Sequence, residues 1–136
     1  MIFVDNRSGQ ELPLDEYEAL AAFVIKSENQ SDDNELSVSL VTTEEMHVLN
    51  KQYRDIDAPT DVLAFENDDE LLGDVVVCPA IAKEHAEDFE SDFAAEIELM
   101  LTHGILHLLG YDHLDDADAR RMESKENEIL QRWRAH

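Results

Sequence analysis

Three of the chain's six histidines, His103, His107 and His113, stand in the stretch from Glu98 to His113. His103 and His107 are four residues apart, roughly 400° around a helix, so both rings leave one face about a turn from each other. That is a chelating spacing. Gly110 stands where a helix ends on a left-handed residue, which lets the chain turn back and bring His113 over the same face. Three neutral imidazoles with one coordination position left open are the ligand set of a catalytic zinc site rather than a closed structural one. Nickel, copper and cobalt suit the same three nitrogens, so one transition metal ion is expected, with zinc the leading choice.

A single histidine on an apolar helix is ordinarily a core residue with a satisfied hydrogen bond. Here Ile97, Leu99, Met100, Leu101, Ile105, Leu106, Leu108 and Leu109 make the helix apolar nearly all round, hence buried. Two imidazoles buried there need partners, and a metal satisfies both at once. In His-Glu-x-x-His metalloproteases the general-base glutamate directly follows the first ligand, whereas here that residue is Gly104. The peptidase reading is weakened by this, though not removed. A helix-interior glycine costs about 1 kcal/mol relative to alanine. Gly104 therefore predicts a demand for room, either close packing against a strand or a substrate entering beside the metal. Asp112, Asp61 and Asp74 could orient a ligand or act as a base, although strand-end carboxylates such as the last two are more often structural.

The elements that must position these residues follow from periodicity and punctuation. Ile2 to Asp5 reads as a short strand bounded by polar residues, and Pro13 opens a helix with Leu14, Tyr17, Leu20, Ala21, Val24 and Ile25 on one face. After a polar turn from Ser27 to Asn34, Leu36, Val38 and Leu40 alternate with serines as in a half-buried strand. Thr42 and Glu45 form a capping box for a helix with Met46, Leu49 and Tyr53 on its apolar side. A polar loop, Arg54 to Thr60, leads into a strand from Asp61 to Phe65, and Glu66 to Glu70 reads as a solvated turn. Leu72 to Cys78 is the most hydrophobic strand, and Pro79 opens a helix in which His85 is taken as structural or exposed. The histidine helix runs from about Asp92 to Leu109, and a last helix from about Ala117 to Trp133 places Met122, Ile129, Leu130 and Trp133 toward the core. Strands and helices interleave without strict alternation, which predicts an α+β fold, a small mixed β-sheet surrounded by helices, as one domain over residues 1–136.

The 136 residues carry 33 acidic against 10 basic side chains, a formal net charge of −23. Such a charge opposes nonspecific adhesion to nucleic acid or to an anionic membrane. Nucleic-acid binders normally show a basic footprint, so contact with any nucleic acid would need a local patch, such as Lys51 with Arg54, or a partner. Half of the basic residues fall between Arg120 and Arg134. Cys78 is the only cysteine, which excludes an intramolecular disulfide and suits a reducing compartment. The N-terminus lacks a secretory signal pattern and no apolar stretch approaches membrane length, so a cytoplasmic location with no membrane partner is expected.

His103-Gly-Ile-Leu-His107-Leu-Leu-Gly-Tyr-Asp-His113 resembles the signature of the YbeY family. Further likeness lies in Leu49-Asn50-Lys51-Gln52-Tyr53-Arg54, Pro59-Thr60-Asp61-Val62-Leu63, Leu72-Gly73-Asp74-Val75-Val76, and Met122 with Glu126, so it spans about residues 35 to 130. Ala64 stands where the family often has Ser, and Glu66 where it often has Pro. The resemblance implies a bacterial metal-dependent endoribonuclease acting in ribosomal RNA processing, at the 3' end of the small-subunit RNA, and in ribosome quality control. It implies RNA and the ribosome or its proteins as partners, no DNA, and a zinc-protease-like placing of the metal helix under one sheet edge. Alone, Arg54 reads as a surface loop arginine; the resemblance puts it near the metal as a catalytic residue able to donate a two-pronged pair of hydrogen bonds to a phosphate. Two other readings stay open. One is a ribosome assembly or binding factor whose metal is mainly structural, the other a metal-dependent amidase or peptidase that draws its base from elsewhere.

Overall fold

The structure is a computed structural model and describes residues 1–28, 35–66, 71–111 and 115–135, apart from the side chains at 71 and 72. Of the predicted turn from Glu66 to Glu70, Glu66 ends a strand and 67–70 lie outside the described residues, as do most of the turn over 27–34, Asp112 and His113. The element order is β1 (Ile2–Asn6), α1 (Leu14–Ser27), β2 (Glu35–Leu40), α2 (Thr43–Arg54), β3 (Val62–Glu66), β4 (Leu71–Val77), α3 (Pro79–Asp88), α4 (Phe93–Leu108) and α5 (Asp116–Arg134). The strands form one four-stranded sheet in the order β1-β2-β4-β3. β1, β2 and β4 run parallel, and β3 returns antiparallel beside β4 at the sheet's edge. This is the α+β fold with a small mixed sheet that the interleaved pattern predicts.

The alternation along each strand decides what covers each face. Leu36, Val38 and Leu40 of β2 and Val75 and Val77 of β4 point to one side, where they pack with α1, α4 and α5 in the main core. On the other side a smaller core gathers Val41, Met46, Leu63, Val76 and Cys78 beneath α2. Helix α4 is the hub of the main core, touching α1, α3, α5, β3 and β4. Its apolar character nearly all round follows from these neighbours.

Two local devices set the ends of the elements that matter. Gly110 takes a φ of 105° after α4. The Gly110 amide donates to the His107 carbonyl at 3.2 Å and the Tyr111 amide to the Leu106 carbonyl at 3.1 Å, the paired bonds of a Schellman end. At the start of α2, Thr42 accepts from the Glu45 amide as predicted. The reciprocal half of the capping box is absent, because the Glu45 carboxylate is taken by the Arg7 guanidinium at 2.7 Å. A charge-assisted pair held through two guanidinium nitrogens outcompetes a neutral amide for that carboxylate.

Candidate metal centre

Along α4 one stripe borders a cleft as well as the core, with Met100 buried and His103 and His107 half-exposed. Glu96, Leu99, Met100, His103, Gly104 and His107, spaced three and four residues apart, all line a cleft of about 870 Å³ between α4 and the edge of β3. His103 and His107 are half-buried there, not enclosed as the apolar flanks suggested. The flanks are buried against the core on either side, and the histidine stripe is where the helix surfaces.

Gly104 is explained by packing. A β-carbon at that position would stand 2.7 Å from Val75 Cγ1 and 3.2 Å from Val62 Cγ2, closer than ordinary contact. The glycine lets α4 lie directly against β3 and β4, which brings the two histidines under the sheet's edge. Of the two uses the sequence allowed for the missing side chain, the structure has the packing one.

Behind His103 stands Glu126 of α5. Its Oε1 is hydrogen-bonded to His103 Nδ1, and the residue is 7% exposed. This hydrogen bond is the leading cause holding the His103 imidazolium above the ordinary value of 6.5, against the opposing effect of burial; the negative charges of Glu126 and Asp61 add to it. With Nδ1 engaged by a carboxylate, the ring is fixed in orientation and Nε2 is the nitrogen that could ligate a metal. Two imidazoles one turn apart, one of them backed by a carboxylate, fit the donor demands of a transition metal. Among the described residues no three His, Cys, Asp or Glu side chains gather as a complete metal-holding group, and His113 falls outside them.

The opposite wall is set by the end of α2. Asp55 adopts a left-handed conformation with φ 58° and stops the helix. Buried Asn50 then pins the following loop by donating from Nδ2 to the Ala58 carbonyl at 2.8 Å. This leaves Tyr53 and Arg54 on the cleft. Arg54 is exposed and has no carboxylate partner among the described residues, whereas Arg7, Arg121 and Arg132 each have one. Lys51, expected to share a basic patch with Arg54, lies 3.9 Å from Asp57 and does not line the cleft. Asp61 lines it but is used locally, its Oδ1 accepting from the Val62 amide at 2.8 Å. Asp74 lies away from the cleft, between Ser37 and Phe65 in the register of the neighbouring strands.

The structure thus brings His103, His107 and Arg54 to one cleft. It adds two residues to which sequence reasoning gave no part in the site. Glu126 carried a resemblance but no role, and the only signal for one was its place on the predicted inner face of the last helix. His85, taken as structural or exposed, lines the far wall from α3 and packs against Phe89 with ring centroids 6.1 Å apart. Arg54 shares the cleft lining with three acidic residues, Asp61, Glu96 and Glu126. No helix among the described residues is long and apolar enough to cross a membrane.

Known proteins resemble this chain over nearly its whole length. A relative named Endoribonuclease YbeY from Legionella pneumophila is 42% identical over 139 residues, covering 95% of this chain and 87% of the relative. One of the same name from Staphylococcus epidermidis is 39% identical over 130 residues, covering 86% and 84%. A solution structure of a Thermotoga maritima protein superposes with a TM-score of 0.68 at 32% identity, covering 99% of this chain and 93% of that one. The family model described as Endoribonuclease YbeY matches residues 3–134. The resemblance first carried by the histidine motif therefore extends through the sheet and all five helices, and the chain belongs to the YbeY family of endoribonucleases.

Proposed function

We propose that this chain is a metal-dependent endoribonuclease that cuts single-stranded ribosomal RNA during its processing, with the ribosome or its proteins as partners. His103, His107 and His113 are the ligands, and zinc is the metal that three imidazoles with an open position suit best. When bound, such an ion supplies Lewis acidity, bringing the pKa of water to about 7 and polarising a phosphoryl oxygen. The chain's own groups do the rest. Glu126 holds the Nδ1 proton of His103 and so presents Nε2 to the cleft. Arg54, with no carboxylate to hold it among the described residues, is available to grip a phosphodiester through its planar fork.

The observation that carries this reading is the opening of the histidine pair into the cleft that also holds Arg54. Gly104, closed over by Val62 and Val75, leaves no place for the base that a His-Glu-x-x-His peptidase would use. The kinship likewise gives neither the assembly-factor reading nor the amidase reading an advantage over the nuclease. Elemental analysis of purified protein and its His103→Ala, His107→Ala and His113→Ala variants tests the ligand set. About one transition metal per parent chain and loss of it in each variant is expected; unchanged metal in any variant removes that residue.

A further inference from the structure

The cleft has a shortage that its substrate must overcome. Phosphate attraction ordinarily supplies most of the affinity of a nucleic-acid-binding protein. Here the whole chain carries −23, and Arg54 is the only Lys or Arg among the described residues lining the cleft, against three acidic residues in the same lining. A source of affinity that does not depend on charge is required.

Tyr53 meets that requirement. It is the residue before Arg54 and lines the same cleft, yet 60% of it is exposed. Its ring is not loose: it leans on Phe65 of β3, centroids 5.1 Å apart and planes inclined at 59°. Phe65 in turn packs against the smaller core beneath α2. A large aromatic ring that is braced underneath and open above loses little conformational freedom on binding, so most of its contact energy is retained. Every nucleobase offers a π-face to such a ring, and stacking of this kind tolerates any sequence. A base inside a duplex has both faces covered by its neighbours, so only an unpaired or splayed base can use the platform.

Resting on the endoribonuclease reading, we infer that Tyr53 is the specificity-determining residue of this cleft, stacking an unpaired base of the RNA while Arg54 takes an adjacent phosphate. Preference for single strands then arises from the ring and not from the cations.

The test uses the full-length, metal-loaded protein and an unstructured RNA oligonucleotide, comparing the parent with Tyr53→Ala, Tyr53→Phe and Tyr53→Trp. For Tyr53→Ala, KM is expected to rise about tenfold or more, the scale of losing one base–aromatic stack, with kcat far less affected. Phe and Trp, which keep a ring, should restore the parent KM. Metal content and the salt dependence of KM should be unchanged in all three. Replacing nucleotides of the oligonucleotide by abasic residues should raise KM for the parent and leave Tyr53→Ala indifferent at the stacked position. If the parent cuts RNA and Tyr53→Ala shows the parent KM, or if Phe and Trp fail like Ala, the stacking role is overturned while the nuclease reading stands. A metal-loaded parent that neither binds nor cuts RNA overturns both.

Discussion

Glu126 on α5 reaches across 23 residues of sequence to hydrogen-bond Nδ1 of His103 on α4, joining the last helix of the chain to the face that the histidine pair occupies. A carboxylate that is 7% exposed would be costly to bury unpaired, so the bond serves the fold and the site together. The packing of α5 on α4 through Met122, Ile129 and Leu130 is what brings the two side chains within reach.

If His103 is a ligand as proposed, Glu126→Gln should weaken metal affinity about 10- to 100-fold, since the carboxylate behind it is replaced by a neutral group. The metal-free protein gives a separate readout. A histidine held above 6.5 in the fold contributes stability that is fully present below pH 6.5 and is lost as pH rises through the raised value. Thermal unfolding after chelation should therefore show the parent exceeding Glu126→Gln most near and below pH 6.5, with the gap closing as pH rises through the raised value. A gap that widens as pH rises would contradict the hydrogen bond's role.

Arg54→Ala should leave stability within about 0.5 kcal/mol, because the side chain is exposed and has no ion-pair partner among the described residues. RNA cleavage should fall sharply, and the slope of log affinity against log salt should flatten by about one phosphate. The parent slope itself should be shallow, reflecting about one to three phosphates. Loss of the fold or of metal in this variant would instead make Arg54 structural.

Gly104→Ala should destabilise the protein by about 1–3 kcal/mol, because the added methyl forces α4 away from Val75 and Val62. Denaturant unfolding measures this directly. Parent-like stability would mean that the strands yield easily and that the close approach of α4 to the sheet is not what seats the histidines.

The helices and strands were legible because their apolar spacing is strong. The histidine helix predicted from Asp92 to Leu109 is flanked by those two residues as its caps, and Gly110 has the left-handed turn its type suggested. What α4 hid was its open stripe. Leu99 and Met100 look like core in the sequence and do pack with the main core, and only the position of β3 shows that they also line a cleft with His103 and His107. The strand order was not legible either, since β2 pairs with β4 across the whole of α2 and β3. Glu126 gave little notice for the same reason, because a contact between two helices depends on how they cross. The capping box at Thr42 failed by half because Arg7, far off in sequence, claimed its glutamate.

The most direct measurement is the rate at which metal-loaded parent and His113→Ala, purified in parallel, cut unstructured RNA, with and without ribosomal particles. The parent should cut slowly alone and faster with the particles, as expected of a chain whose net charge of −23 weakens its hold on naked RNA. The His113→Ala protein should have lost metal and cleavage together, and neither protein should hydrolyse a broad panel of peptides. If His113→Ala cuts RNA as fast as the parent, the cleavage belongs to a contaminating ribonuclease and not to this cleft.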